Sequence, residues 1–268
     1  MTTQASCTTD SEFDIDTGRL STTEKTNGNI EGDLNTRSEI GVILPTYCES
    51  ANVEKLIREI ESLNLKTSIL VIDDSSPDGT ANIVRRLQQK YKSILLYVRF
   101  KKTGLGTAIT DGFRTFLSLR HPPRYIITMD ADYSHSPQEI PKLIRPMKHN
   151  SDLVIGSRYC EGGNTKNWSI MRLIVSKTAN LVATLRIRAD IHDYTSGFRC
   201  YSLKLIEKTI GDLHSQTYEI QIETIRQARI KGFKITETPI TFVNRKKGKS
   251  KLSANEIRQF ISYAILKR

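Results

Sequence analysis

The sequence predicts an α/β fold, a single domain built on a mostly parallel sheet covered by helices on both faces. Three observations predict it. Short apolar runs alternate with segments whose apolar residues recur at three- and four-residue spacing. Runs such as Ile40-Gly41-Val42-Ile43-Leu44 and Ser68-Ile69-Leu70-Val71-Ile72 lack the in-out alternation of a strand with one wet face, as befits strands buried on both sides. Acidic clusters follow two of these runs, at Asp73-Asp74 and Asp130-Ala131-Asp132. In parallel sheets that is where ligands bind, beyond the carboxyl ends of the strands.

The first strand, Ile40 to Leu44, is stopped by Pro45. Ser50 then caps a helix whose inward face is Val53, Leu56, Ile57 and Ile60. Ser68 to Ile72 is the second strand, followed by a helix from Thr80 to Tyr91 with Ile83, Val84 and Leu87 inward. A strand over Ile94 to Val98, a helix over Gly104 to Leu119 and a strand over Tyr125 to Met129 continue the alternation. Ser136-Pro137-Gln138-Glu139 reads as a helix start, with Ser at the N-cap, Pro at N1 and Glu at N3. Leu153 to Gly156 is the fifth strand. A long helix from Ser169 to Leu185 presents Arg172, Ser176 and Asn180 as a polar stripe at four-residue spacing. A helix over Tyr218 to Ile230 and a strand pair or edge strand within Ile235 to Val243 follow. The last helix carries Ile257, Phe260, Ile261, Ala264 and Ile265 on one side; it is too short to span a bilayer but long enough to lie on one.

The 268 residues carry a net charge of +11, unevenly spread. Residues 1–38 hold seven acids and three bases, a balance of −4 that leaves +15 on the remainder. That stretch is rich in small polar residues and reads as a disordered tail, ahead of a domain over 39–252 and a terminal amphipathic helix over 253–268. A strongly basic domain suits nucleic acid, anionic lipid or phosphorylated substrates, without choosing among them. No stretch approaches the length of a membrane span, and the polar N-terminus is not a signal peptide. These features give the expectation of a protein on the cytoplasmic side. Cys7, Cys48, Cys160 and Cys200 are widely spaced, which argues against a disulfide framework or a thiolate metal site.

Two carboxylates at i and i+2, such as Asp130 and Asp132, reach one hard cation when the strand breaks into a loop. A solvated acidic turn is the plainer reading of such a pair taken alone. Asp73 and Asp74 end a strand, and one of them can accept hydrogen bonds from a base or ribose, presented by the turn Pro77-Asp78-Gly79. Glu49 is placed to receive ribose hydroxyls and Tyr47 to stack on a base, unless they only line a loop leading into a helix. Gly104-Leu105-Gly106 either approaches a phosphate or packs closely at a helix start. Asp193-Tyr194-Thr195-Ser196-Gly197-Phe198-Arg199 either faces the metal and the sugar or is a surface turn with Arg199 solvated. The five histidines show no metal-ligand spacing; His135 alone is placed near the acidic pair.

The ordered set Leu44-Pro45-Thr46-Tyr47-Cys48-Glu49, Val71 to Thr80, Met129 to His135, Gly156-Ser157-Arg158-Tyr159, Thr195 to Arg199, Phe242 to Arg245 and Gly248 to Leu252 resembles the dolichyl-phosphate mannosyltransferase family of GT-A inverting glycosyltransferases. The resemblance spans about residues 39–266. It implies a Rossmann-like GT-A fold, a GDP-mannose donor, Mg²⁺ or Mn²⁺, a polyprenyl or dolichyl phosphate acceptor, and a role in protein glycosylation or glycolipid synthesis. By position it implies that Pro45, Tyr47, Glu49 and Asp74 contact guanosine. Asp130, Asp132 and Ser134 would then hold the metal, and Arg158, Arg172 and Ser176 the acceptor phosphate. Arg245 and Lys251 lie on a loop implied to close over the phosphates, with Asp132, Arg158 and Arg245 closest to the chemistry. The chain ends at Arg268 without the transmembrane helices of some relatives. This matches the compact form that works peripherally on the cytoplasmic face of a membrane with small membrane-anchoring subunits. That membrane would be the endoplasmic reticulum in a eukaryote or the cell membrane in a prokaryote.

A polyprenyl phosphate oxygen is already anionic near neutral pH, since the second pKa of a phosphate monoester is about 6. An active site of acids and arginines with no obvious nucleophile is therefore chemically consistent. Three alternatives stand beside this reading. One is a lipid-phosphate glycosyltransferase using UDP-glucose or another nucleotide sugar. A nucleic-acid-binding module is a second, disfavoured because the basic residues are not interleaved with aromatics and no recognised module appears. The third is a catalytically inert scaffold, disfavoured by the intact Asp130/Asp132 pair.

Overall fold

The computed structural model describes residues 28–244. The tail through residue 27, Arg245, Lys251 and the helix expected over 253–268 lie outside the described residues. The chain forms strands β1 (Gly28–Glu31), β2 (Ile40–Thr46), β3 (Thr67–Asp73), β4 (Ile94–Arg99), β5 (Tyr125–Thr128), β6 (Leu153–Ser157), β7 (Asn164–Lys166), β8 (Arg199–Ser202), β9 (Ile235–Pro239) and β10 (Thr241–Val243). The helices are α1 (Val53–Ser62), α2 (Thr80–Lys90), α3 (Leu105–Ser118), α4 (Ile140–Lys148), α5 (Ile170–Ile187), α6 (Leu203–Thr209) and α7 (Ile220–Ile230).

Eight strands form one sheet in the order β1-β4-β3-β2-β5-β8-β6-β9, and β10 pairs with β7 in a separate ribbon. The pairs β2–β3, β3–β4, β2–β5 and β6–β9 are parallel; β1 and β8 run antiparallel to their neighbours. The expected mostly parallel sheet is thus present. Its apolar residues divide between two cores. One, with Ile43, Leu70 and Ile126, packs against Phe113 and Phe116 of α3 and Ile222 and Ile225 of α7. The other, with Val42, Ile69 and Ile127, packs against α1, α2 and α4. Burial on both faces is why these strands read as continuous apolar runs.

Four local expectations are corrected. Residues 28–31, placed by composition in the tail, form β1 along the edge of β4. Ile30 packs on the core and Glu31 bonds Arg85. A lone apolar residue among polar ones gave no strand period, yet an edge strand needs only backbone pairing and one anchor. Ser50 does not cap α1; its amide donates to Asp78, and Asn52 stands at the N-cap. Ser136 makes no side-chain cap either. Pro137–Glu139 form a 3₁₀ turn before α4, and the Glu139 carboxylate accepts from the Thr241 amide instead. Strand β8, unanticipated, inserts between β5 and β6; it is four residues long and begins with a buried arginine.

A chain beginning at Glu39 is expected to be less stable than one beginning at Gly28 by about 1–2 kcal/mol, for the lost burial of Ile30 and the exposed β4 edge. Thermal unfolding of the two forms should show the longer one melting a few degrees higher.

Candidate active site

The carboxyl ends of β2, β3 and β5 build the first half of the site. Parallel register sets Thr46 beside Asp73, so Tyr47 and Asp74 leave the sheet together. Asp73 is fully buried and structural, accepting from Thr46 Oγ1 at 2.9 Å and from the Ser76 amide and hydroxyl at 2.8 and 2.6 Å. Asp74 is therefore the acid the turn presents. It is held by Arg99, whose Nε donates to Asp74 Oδ1 at 2.6 Å. Burial raises the Asp74 carboxyl and Arg99 opposes that rise. Arg99 also reaches Thr107, Asp111 and the Gly104 carbonyl, which ties the turn after β3 to the start of α3. Lys102 Nζ lies 4.4 Å from the centre of the half-buried Tyr47 ring. Glu49 accepts from Asn52 Nδ2 at 2.9 Å. Pro45, Tyr47, Glu49 and Asp74 are thus gathered at one sheet end, and Arg99 and Lys102 are additions. The detectable signal for Arg99 was a cation closing an apolar strand.

Gly104 and Gly106 belong to packing. A Cβ on Gly104 would lie 2.3 Å from the Gln216 carbonyl oxygen, and one on Gly106 2.3 Å from that of Ser215. The Gly106 and Thr107 amides donate to Gln216, so two donors expected for a phosphate are already used.

Past β5 the chain turns through Asp130-Ala131-Asp132-Tyr133-Ser134, with Tyr133 at φ 64°. Asp132 Oδ1 accepts from the Ser134 amide at 3.0 Å, and the Ser134 carbonyl accepts from the Val243 amide at 3.0 Å. Ser134 Oγ and His135 Nδ1 are buried without hydrogen-bond partners; His135 Nδ1 lies 3.9 Å from Asp130 Oδ2. His135 stacks on Phe198, with Phe242 at its edge. Burial, against the attraction of Asp132, pulls its pKa down to about 4, so the ring is neutral. Among the described residues no group of three His, Cys, Asp or Glu could cage a metal. Two carboxylates with an unpartnered hydroxyl nevertheless suit a hard divalent cation that takes its remaining ligands from phosphate oxygens and water. Asp130, Asp132 and Ser134 fit that group.

The second half of the site is cationic. Arg158, at the end of β6, forms a bidentate pair with Asp193: Nε to Oδ2 and Nη2 to Oδ1, both at 2.7 Å. Burial pushes the Asp193 carboxyl up, but Arg158 outweighs it and holds the acid below its usual range. The Thr195 and Ser196 amides also donate to Asp193. Glu237 of β9 fixes the same loop by accepting from the His192 and Asp193 amides. Arg158 Nη1 makes no hydrogen bond among the described residues.

The polar stripe of α5 faces this loop. Ser176 accepts from Tyr159 Oη at 2.7 Å, Asn180 Nδ2 donates to Thr195 Oγ1, and Arg172 Nη1 donates to Asn244 at 2.7 Å. Arg158 and Arg172 lie 5.2 and 4.3 Å from the Trp168 ring and 5.6 and 5.5 Å from that of Phe242. Trp168 Nε1 is buried and unpartnered. Arg158, Arg172 and Ser176 therefore meet, joined by Asp193 of the loop expected either to face the metal and the sugar or to be a surface turn, and by Trp168, Phe242 and Asn244, to which sequence reasoning gave no role. Arg199 is not solvated: it is fully buried, donating to the Ser196, Gln221 and Tyr194 carbonyls. A surface turn is excluded for this loop.

The sequence profile of glycosyl transferase family 2 matches residues 41–210. Polyprenol monophosphomannose synthase of Mycolicibacterium smegmatis is 38% identical over 220 residues, 81% of this chain and 82% of that protein. Dolichol-phosphate mannosyltransferase of Pyrococcus furiosus is 35% identical over 84% of this chain, which spans only 62% of that relative's length. A mannosyltransferase from Pyrobaculum calidifontis, solved with GDP-Man and Mn²⁺, superposes with a TM-score of 0.53 at 16% identity, over 84% of this chain and 62% of that one. Glucosyl-3-phosphoglycerate synthase from Mycobacterium tuberculosis, solved with Mn²⁺, UDP and phosphoglyceric acid, gives 0.59 at 19% identity, over 85% and 76%. At these identities the structural likeness shows the fold, that of GT-A glycosyltransferases.

Proposed function

The chain belongs to glycosyltransferase family 2 and is a hexosyltransferase, and on that premise we propose that it transfers mannose from GDP-mannose to a polyprenyl or dolichyl phosphate, with inversion. The names of the two sequence relatives support the sugar and the lipid phosphate. One observation carries the reading: two guanidiniums, Arg158 and Arg172, flank the same pair of rings on the side of the site next to Asp130. An anionic acceptor and an anionic donor are thereby accommodated in one cleft.

Tyr47, Glu49 and Asp74 bind the guanosine, with Lys102 adding positive charge over Tyr47. Asp130, Asp132 and Ser134 hold Mg²⁺ or Mn²⁺, which when bound neutralises the leaving diphosphate. Arg172 grips the acceptor phosphate and Ser176 lies one turn along the same face. Arg158, fixed by Asp193, offers its remaining Nη1 edge. The acceptor oxygen is already ionised near pH 7, so no side chain has to remove a proton, and attack opposite the diphosphate converts an α-linked donor to a β-linked product. Arg245 and Lys251, which lie outside the described residues, add positive charge for the phosphates in this reading.

A membrane surface is the natural source of such an acceptor. Among the described residues no helix is long and apolar enough to cross a membrane. On α5, however, Ile170, Met171, Ile174, Leu181 and Leu185 are each more than half exposed. With Arg172 and Lys177 on the same helix, this supports peripheral contact with lipid.

The direct test is incubation of the purified protein with polyprenyl phosphate, Mg²⁺ or Mn²⁺, and labelled GDP-mannose or UDP-glucose. Label should enter the lipid phase from GDP-mannose; preference for UDP-glucose would overturn the donor. Arg172→Ala is expected to raise acceptor KM roughly ten- to hundred-fold, the worth of a charge-assisted contact at about 1.5–3 kcal/mol. Donor affinity should hold. Arg172→Lys should recover only part, because an ammonium lacks the planar fork. A fall in donor affinity with acceptor KM unmoved would show that Arg172 serves the nucleotide instead.

A further inference from the structure

Trp168, the only tryptophan in the chain, stands just before the Ser169 cap of α5. Ser169 Oγ accepts from the Arg172 amide at 3.3 Å, so the helix start and the Arg172 backbone are set together. Asn167 turns the chain at a left-handed φ of 61°, a conformation asparagine tolerates, and its carbonyl accepts from Asn244 Nδ2 at 3.1 Å. Asn244 Oδ1 in turn accepts from Arg172 Nη1 at 2.7 Å. The Arg172 guanidinium carbon lies over the Trp168 ring, 4.3 Å from its centre, and that of Arg158 reaches the same ring at 5.2 Å. Two like charges thus share one neighbour. They repel each other, and an aromatic face attracts a cation placed over it, so the ring offsets the repulsion. Trp168 Nε1 is buried and makes no hydrogen bond among the described residues. Its donor holds nothing in place, and what the residue supplies to the fold is its ring.

Resting on the acceptor role proposed above for Arg172, we infer that Trp168 is a positioning residue: its ring holds the Arg172 guanidinium beside Arg158 before a ligand arrives, so that a phosphate monoester meets both cations already in place. Arginine has many rotamers to lose, and ordering such a side chain during binding costs affinity. Arg172 is half-buried; released from the ring, it would have to be gathered in at each encounter. Phe242 completes the enclosure. It is 6% exposed, edge-on to Trp168 with ring centres 5.2 Å apart, and 5.5 Å from the Arg172 guanidinium. The neighbouring Val243 amide donates to the Ser134 carbonyl at 3.0 Å, which anchors this aromatic wall to the turn that carries Asp130 and Asp132.

Farnesyl phosphate, a short prenyl phosphate, serves as the probe. Calorimetry would measure its affinity for the wild type, Trp168→Leu, Trp168→Phe, Arg172→Ala and the double variant Trp168→Leu with Arg172→Ala, and GDP with Mn²⁺ would be titrated separately. Trp168→Leu should weaken farnesyl phosphate roughly two- to thirty-fold, the range of a cation–π contact, and leave GDP affinity unchanged. Trp168→Phe, which keeps a ring, should recover most of the loss. In the Arg172→Ala background Trp168→Leu should change little further, because the ring acts through that arginine. Equal losses in both backgrounds would show Trp168 touching the prenyl chain itself, and a loss in Trp168→Phe as large as in Trp168→Leu would show Nε1 donating to the phosphate; either overturns the assignment. Unchanged affinity in Trp168→Leu, or a parallel loss for GDP, overturns it too. If Trp168→Leu does not fold, the wild type decides: the emission of its one tryptophan should shift as farnesyl phosphate saturates the site, and saturation without a shift overturns the inference. A wild type that binds GDP but not farnesyl phosphate overturns the acceptor reading and this inference with it.

Discussion

Asp193→Ala is expected to lower the melting temperature by roughly 6–20 °C and to abolish transfer. The carboxylate is fully buried and receives three hydrogen bonds from Arg158. Removing it leaves a buried guanidinium without its counter-charge. Breaking a buried pair from one side costs about 3–5 kcal/mol, and each kcal/mol moves the melting point of a chain of this size by about 2–4 °C. Because Arg158 depresses the Asp193 carboxyl, that stabilisation is present above the ordinary Asp range near pH 4 and fades as pH falls through the lowered folded-state value. A double variant, Asp193→Ala with Arg158→Met, supplies the control: stability should return in part, since an apolar pair often replaces a buried ion pair without loss, and transfer should not. Differential scanning calorimetry and turnover on the single and double variants form the cycle. An unchanged melting point in Asp193→Ala would mean that Arg158 finds water when its partner is gone.

Asp132→Asn is expected to reduce transfer by roughly 10²–10³-fold, the usual effect of removing one group that stabilises charge developing in the transition state. The fold should survive. Asp132 Oδ1 accepts from the Ser134 amide, and an asparagine keeps that oxygen while giving up the charge that a hard cation requires. Mn²⁺ binding, followed by the loss of its free paramagnetic resonance signal, should weaken in parallel, and thermal unfolding without metal should match the wild type. Near wild-type turnover in Asp132→Asn would place the metal elsewhere or dispense with it.

What the sequence made legible follows from period and position. The central strands were visible because burial on both faces forces unbroken apolar runs, and the acids at their carboxyl ends because Asp73, Asp74, Asp130 and Asp132 sit where those runs stop. The stripe Arg172, Ser176 and Asn180 was visible because helical spacing places its members on one side, and the structure turns that side to the site. Other features depend on partners remote in sequence. Strand β8 begins with Arg199, which looks solvated until the Ser196, Tyr194 and Gln221 carbonyls are known to surround it. Asp193 reads as a turn former until Arg158, 35 residues earlier, is placed against it. Strand β1 reads as tail because an edge strand needs little sequence signal. The expected caps at Ser50 and Ser136 failed because Asp78 and Thr241, distant in sequence, claimed the groups involved.

The place of β8 has a consequence for the order in which the molecule acquires its shape. It is the strand that joins β5 to β6, and its residue Arg199 pairs with Thr128, 71 positions earlier. Closing so long a loop is entropically slow compared with the local β-α-β steps that assemble β2, β3 and β4. The β2–β4 end can therefore form while the chain is still emerging, but β6 and β9 join the sheet only when β8 arrives. Asp130 precedes that late strand and Arg158 and Asp193 are brought to it only by its arrival. Completion of the site is thus a property of the last step of folding, and a chain stalled before it would hold Tyr47 and Asp74 in place without Arg158 and Asp193 beside Asp130.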